Sequence, residues 1–414
     1  MAALKIGVIA DDFTGAGDAA SFLANAGLRT VLFSGTPAHD DDAADCEAAV
    51  VALKTRTQET KSAVADTLAA AAWLKRQGAK HLYVKYCSTF DSKPSGNIGP
   101  ILDALLEEYD VPYTILCPSL PVNGRTVTNG CLYVNGVPLA ESPMRDHPLT
   151  PMWASSIAEL MRPQSQYPCL SVGRVDAGTA SRVDAFAEGK QHFYVVPDYD
   201  RDEDARNIVE LFGSLPVLSG GSGLMTELAR FHGAKFDGKN TFVSRTAGPA
   251  LVLSGSCSRT TRGQIEQYLH SGAPALRMDP LELLGGVQTE DDLWRFIEEK
   301  GDGSLVYSSD TPEAVRTAQT AGREKVAETL ERATANLAVK AVQHGFTRIV
   351  VAGGETSGAV TKALGFDSFF IGESVAPGVP VMIPRKQPEL RLVLKSGNFG
   401  QPDFFTRAQN MTRG

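Results

Sequence analysis

Three aspartates, Asp11, Asp12 and Asp18, stand within IGVIADDFTGAGD, where an apolar β-branched run gives way to small helix-compatible residues. Carboxylates at such a strand-to-helix turn can orient a ligand's hydroxyls, hold a metal or remove a proton. Gly15 and Gly17 would let backbone N–H groups approach an anion there, helped by the helix dipole. A plain turn explains the glycines alone, but three carboxylates beside them favour a working site. A dinucleotide fold competes for this segment, yet it needs an acid about 20 residues onward for the ribose. The next apolar run ends Phe33-Ser34-Gly35 without one.

A second polar constellation, Lys85-Tyr86-Cys87-Ser88-Thr89-Phe90-Asp91-Ser92, follows an apolar run and continues through Gly96-Asn97. It offers a cation, several hydroxyls and a carboxylate to a small polar ligand. Lys85 by itself reads as a solvated strand end; beside Ser88 and Asp91 it reads as a carboxylate binder. Arg125, in PSLPVNGRTVTNG, suits a carboxylate because its fork donates two parallel hydrogen bonds, with a surface ion pair as the plainer explanation. His147 is equally compatible with packing and with proton transfer. Cys87 and Cys257 have no evident base beside them and read as packing residues.

Three further turns suit phosphate. Ile349 to Ser357 runs from a strand into Gly353-Gly354-Glu355-Thr356-Ser357 and then a helical stretch, but no Lys-Ser or Lys-Thr follows, so it is not a Walker A loop. Leu253 to Thr260 carries Ser258, which can cap a helix or bind phosphate. Leu394 to Gly400 carries Gly397 and Gly400. Three such turns in one parallel sheet would converge at its carboxyl edge, where ligands usually bind.

The elements positioning these residues are legible as alternation. LKIGVIA, TVLFSG, AAVVAL, HLYVKY, YTILCP and FYVVP alternate with Ala- and Leu-rich stretches such as AVADTLAAAAWLKRQ. A second series contains ALVLSGSC, SLVYSS, RIVVAGG and LRLVLKSG. Both series predict α/β domains with mainly parallel sheets, 1–245 and 246–414, and an active-site cleft between them. The polar, glycine-containing HGAKFDGKNTFVSRTAGPA marks the boundary. The stretch from Cys117 to Trp153, rich in Pro, Gly and Asn, reads as an irregular segment, either a binding loop or lid or a plain surface excursion.

Composition narrows the function classes. At 414 residues the chain exceeds one ordinary core. A net charge of −8 disfavours nucleic acid and anionic lipid as partners, so any phosphate site must be locally built. The six cysteines lack CxxC spacing and the seven histidines form no HExxH, so neither a disulfide scaffold nor a transition-metal site is expected. The start, MAALKIGVIADDF, enters a strand directly, and no apolar run reaches 18 residues, so the expected location is the cytoplasm.

IADDFTGAGDAA, KYCSTFDSKPSGNIGP, PSLPVNGRTV, ESPMRDHPLTPM, SGSCSRTTRGQ, GGETSGAV and KSGNFG, in this order, resemble the four-carbon acid sugar kinase family over essentially the whole chain. The Ser88–Ser92 stretch departs from the threonate-kinase pattern and is most similar to the 3-oxo-tetronate branch. The resemblance implies a sugar-acid domain followed by an ATP domain, with ATP as co-substrate, Mg2+ on its phosphates and ADP released. It implies nucleotide contacts at Ser258, Gly353, Gly354, Glu355, Thr356, Ser357, Gly397 and Gly400, and acid contacts at Asp11, Asp12, Lys85, Ser88, Asp91, Asn97 and Arg125. It leaves the metal ligands unassigned and is compatible with a homo-oligomer. The expected base is Asp12, with Asp18 its rival because TGAGD also resembles the anion-hole turn of ribokinase-like kinases, where it lies late in the chain. The alternatives are a threonate or erythronate kinase, and a nucleotide-binding regulator without turnover.

Overall fold

Five-residue runs of β-branched and small apolar residues are too short to be amphipathic helices, and they form strands buried on both faces. The computed structural model describes residues 4–39, 43, 46–146, 150–235 and 242–414. Two units divide the chain, Met1–Lys239 and Asn240–Gly414, a few residues ahead of the expected 245.

The first unit opens with β1 (Ile6–Ala10), α1 (Phe13–Asn25), β2 (Thr30–Ser34), β3 (Ala48–Ala52), α2 (Thr60–Arg76), β4 (His81–Lys85) and α3 (Ile98–Glu108). It continues through β5 (Tyr113–Ile115), β6 (Arg125–Thr128), β7 (Cys131–Val134), β8 (Val137–Pro138) and α4 (Ile157–Met161). It closes with β9 (Cys169–Gly173), α5 (Thr179–Ala187), β10 (Phe193–Pro197), α6 (Asp202–Phe212), β11 (Val217–Gly220) and α7 (Met225–Phe231). Its main sheet is parallel in the order β11-β4-β1-β3-β2, and a second parallel sheet runs β5-β10-β9. β1 is central and buried at every position, as an unbroken IGVIA requires.

The stretch expected to be an irregular loop holds a three-stranded antiparallel sheet, β6-β7-β8. Its turns are Asn129-Gly130 and Asn135-Gly136, all four residues at φ between 51° and 80°. Asn-Gly supplies the paired left-handed conformations a tight hairpin needs, so the density of Asn and Gly signals strand pairing here.

The second unit contains β12 (Ala250–Ser254), α8 (Arg259–His270), β13 (Ala275–Arg277), α9 (Pro280–Gly285), α10 (Glu290–Lys300), β14 (Ser304–Tyr307), α11 (Pro312–Gln319) and α12 (Arg323–Gln343). Next come β15 (Arg348–Ala352), α13 (Gly354–Leu364), β16 (Ser368–Ala376), β17 (Val379–Pro384), β18 (Arg391–Lys395) and α14 (Phe404–Thr412). The sheet order is β16-β17-β18-β15-β12-β14-β13, antiparallel only where β17 meets its neighbours. Val252, Leu305, Val350 and Val393 pack with Phe404 and Phe405 of α14 into its core. No helix among the described residues is long and apolar enough to cross a membrane.

Candidate functional site

Parallel pairing puts the carboxyl ends of β1, β3, β4 and β11 on one edge: Ala10 is level with Ala52 and Lys85, and Lys85 with Gly220. Whatever follows each strand must therefore meet there. Asp11 and Asp12 follow β1, Arg56 follows β3, Lys85 ends β4, and Ser222 follows β11.

Helix α1 begins at Phe13, so Gly15 and Gly17 lie within its first turns and not in an open loop before it. Asp12 is the N-cap, its Oδ1 accepting from Gly15 N–H at 2.7 Å. A Cβ on Gly15 would stand 3.1 Å from Lys85 Nζ, so the missing side chain leaves room for the ammonium. Lys85 is buried and donates to the Tyr86 carbonyl at 3.0 Å.

Arg56, which the sequence reading passed over, grips Asp11 with Nε and NH2 at 2.8 Å each and reaches Asp12 Oδ1 at 3.1 Å. Burial pushes the Asp11 carboxyl above its ordinary value against the pull of Arg56. Burial also opposes the charge on Arg56, but Asp11 and Asp12 hold its pKa well above the usual range. Asp11 is thus an internal partner that aims a guanidinium at Asp12.

Asp18, buried on α1, accepts from the Ser222 hydroxyl through Oδ2, and its Oδ1 has no partner among the described residues. Burial raises its pKa, while Lys85, Ser222 and Arg125 pull it down and Asp12 pushes it up. Lys85, Arg125, Asp12 and Asp18 therefore share one electrostatic environment. Arg125, at the start of β6, donates to the Asn123 carbonyl and keeps a buried Nε without a partner among the described residues.

The remaining first-unit candidates hold the scaffold. Asn97 donates to the carbonyls of Thr55 at 2.7 Å and Gln58 at 2.8 Å and accepts from Thr60 at 2.8 Å, fixing the loop that carries Arg56. Asp91 accepts from Thr89 at 2.6 Å. Asp11, Arg56, Asp91 and Asn97 surround a void of about 20 Å³, room for a single water. Ser88 is half-buried, without a side-chain partner among the described residues. Burial pushes the Cys87 thiol up to about 11, which suits packing and not nucleophilic attack. His147 lies outside the described residues.

In the second unit Ser254, Ala352 and Lys395 are level across β12, β15 and β18, so the three glycine turns converge as expected. Ser258 caps α8 and donates to the Gly397 carbonyl at 2.6 Å. Gly353 sits at φ 128°, and a Cβ there would stand 2.9 Å from Thr356 Oγ1 and 3.2 Å from Ser256 N, so only glycine fits. A Cβ on Gly397 would stand 2.5 Å from Ser256 Oγ. Thr356 and Ser357 are buried, Ser357 Oγ without a partner among the described residues; Gly354 and Glu355 are exposed. Gly400 closes its turn at φ 85°.

Beside these turns lies a cavity of about 510 Å³, within the range of small-molecule sites. Gly255, Cys257, Glu355 and Thr356 form one end, and Val315, Ala318, Val326 and Leu330 of α11 and α12 form an apolar wall. Nothing in the sequence pattern pointed to that wall, because an apolar face on α11 and α12 reads equally well as core.

Residues 6–228 match a family described as a sugar-binding N-terminal domain, and residues 251–405 one described as a nucleotide-binding C-terminal domain. The chain is 43% identical to a 3-oxo-tetronate kinase of Brucella melitensis, covering 99% of this chain and 96% of that one. It is 41% identical to a 3-oxo-tetronate kinase of Cupriavidus necator, covering 99% and 97%. Among solved structures it is similar to a Salmonella typhimurium protein (TM-score 0.89, 37% identity, covering 99% and 100%). A Haemophilus influenzae protein is also similar (TM-score 0.82, 38% identity, covering 98% and 99%).

Proposed function

Because the chain belongs to the four-carbon acid sugar kinase family, with the 3-oxo-tetronate kinases, we propose that it transfers the γ-phosphoryl group of ATP to the 4-hydroxyl of 3-oxo-tetronate. The products are 3-oxo-tetronate 4-phosphate and ADP. Full-length identity with enzymes of that name carries the reading, and the two sets of strand-end turns support it independently.

In the first unit Lys85 and Arg125 hold the substrate carboxylate, and Asp12 takes the proton of the 4-hydroxyl. Asp12 Oδ1 is committed to the helix cap and Arg56, which leaves Oδ2 for the substrate. The 4-oxygen bonds to the γ-phosphorus, the bond from phosphorus to the bridging oxygen breaks, and ADP carries that electron pair away. Such a transfer depends on alignment and charge neutralisation far more than on covalent help from the protein.

In the second unit Ser258 and the turns at Gly353–Ser357 and Gly397–Gly400 cradle the phosphates, with the adenosine in the adjoining cavity. Among the described residues no three metal-ligating side chains cluster. Magnesium held by phosphate oxygens and water needs only one or two carboxylates, and the exposed Glu355 at the start of α13 fits that demand. Bound there, the ion would neutralise charge on the transferred group.

A Cβ at Gly354 meets open space, unlike one at Gly353. Gly354→Val should therefore fold normally yet bind ADP about tenfold more weakly or worse, since only a ligand stands to be displaced. Calorimetry with unchanged ADP affinity would move the phosphates elsewhere. The function itself is tested by coupled ADP release over four-carbon acids. The 3-oxo acid should give the highest kcat/KM; preference for a 3-hydroxy acid would make the chain a threonate or erythronate kinase, and no acid-dependent turnover would leave a binding protein.

A further inference from the structure

Lys395, the last residue of β18, is 1% exposed. Its ammonium donates to Thr261 Oγ1 at 2.9 Å and to the carbonyls of Ser396 and Gly397 at 3.0 and 3.2 Å. The Gly397 carbonyl also accepts from Ser258 at 2.6 Å and Thr261 at 2.9 Å. One turn further along α8, Gln264 Nε2 shares its protons among the carbonyls of Phe399, Gly400 and Gln401 at 3.0 to 3.1 Å. Four carbonyls of the turn, those of Gly397, Phe399, Gly400 and Gln401, thus bond to side chains of α8, and Lys395 holds those of Ser396 and Gly397. A turn whose carbonyls all face one way presents its N–H groups the other way, as an anion-binding concavity. The amides of Gly397, Asn398 and Gly400 have no acceptor among the described residues, and Asn398 is exposed.

We propose that Lys395 is a positioning residue for the nucleotide's polyphosphate: it holds the carbonyls of Ser396 and Gly397 while Gln264 holds those of Phe399, Gly400 and Gln401, leaving the amides of Gly397, Asn398 and Gly400 to bind phosphate oxygens. The proposal rests on reading the second unit as the ATP site. It has a thermodynamic signature. Burial alone pushes Lys395 down to about 7. The charged groups on the elements packed around it, Arg259 and Arg262 on α8, Arg348 on β15, Glu355 and Lys362 on α13 and Arg407 on α14, do not enter that shift. With its pKa pushed down to about 7, Lys395 can give up a proton near neutral pH in the free protein. A polyphosphate beside the turn favours the ammonium, so nucleotide binding takes up protons in the window from about 7 upward, and affinity falls as pH rises through it.

The test is calorimetry of ADP binding near pH 7.5 in buffers of different ionisation enthalpy, on the parent, Lys395→Met and Lys395→Arg, with thermal melts to establish folding. The parent should take up protons. Lys395→Met should bind about tenfold more weakly without uptake. Lys395→Arg should recover much of the affinity, also without uptake, because a guanidinium does not titrate there. Uptake that persists in either variant overturns the proposal, as does ADP affinity in Lys395→Met within about twofold of the parent. Should the Met variant not fold, the Arg variant decides by its proton uptake alone. A parent protein that binds no ADP would instead overturn the ATP-site reading.

Discussion

Asp12→Asn should lower kcat by roughly 100-fold or more while ADP affinity stays near that of the parent, because the change keeps the shape and removes the basic oxygen. The amide oxygen still accepts from Gly15 N–H, so α1 retains its cap. Asp18→Asn is the internal comparison. Buried Asp18 binds its proton more tightly in the folded chain than the usual carboxylate value of 3.8. Its ionised form therefore costs stability, a cost absent below that value and growing as pH rises through the folded pKa. Asp18→Asn should melt above the parent at neutral pH, and the difference should close as pH falls toward 4. If Asp18→Asn is inactive while Asp12→Asn turns over at the parent rate, Asp18 is the base.

Lys85→Ala should raise the acid's KM roughly 10- to 100-fold with little change in that of ATP, the scale of losing a hydrogen bond between charged partners. Arg125→Ala should act in the same direction. Lys85 also offsets the buried charges of Asp18 and Asp11, so its variant should be less stable as well, whereas Arg125, which offsets Asp18 alone, should cost less. Measuring both KM values separates the roles, since general destabilisation lowers active enzyme without favouring one substrate. Normal acid kinetics in both variants would place the carboxylate elsewhere.

The alternation of apolar strands with helical stretches, the acidic turn after the first strand and the glycine turns of the second half were all legible along the chain. Each depends on residues adjacent in sequence: IGVIA is a buried strand because of its own composition, and Asp12 caps α1 because of where it stands. The Asn-Gly hairpins were equally local, and there the composition was read as irregularity when it specified paired strands. The partnerships were not legible. Arg56 meets Asp11 across 45 residues, Lys395 meets Thr261 across 134, and Ser222 meets Asp18 across 204.

Arg56 in TRTQET and Ser222 in SGGSG look like solvated loop residues until parallel pairing brings Ala10, Ala52, Lys85 and Gly220 to one edge. The apolar wall on α11 and α12 was hidden for a related reason, since a helix face that lines a cavity and one that fills a core share the same periodicity. Sequence by itself determined which residues carry charge and which stretches become strands and turns. Tertiary structure decided which charges face each other and which are buried, because strand register and burial depend on the whole sheet and no single segment contains them.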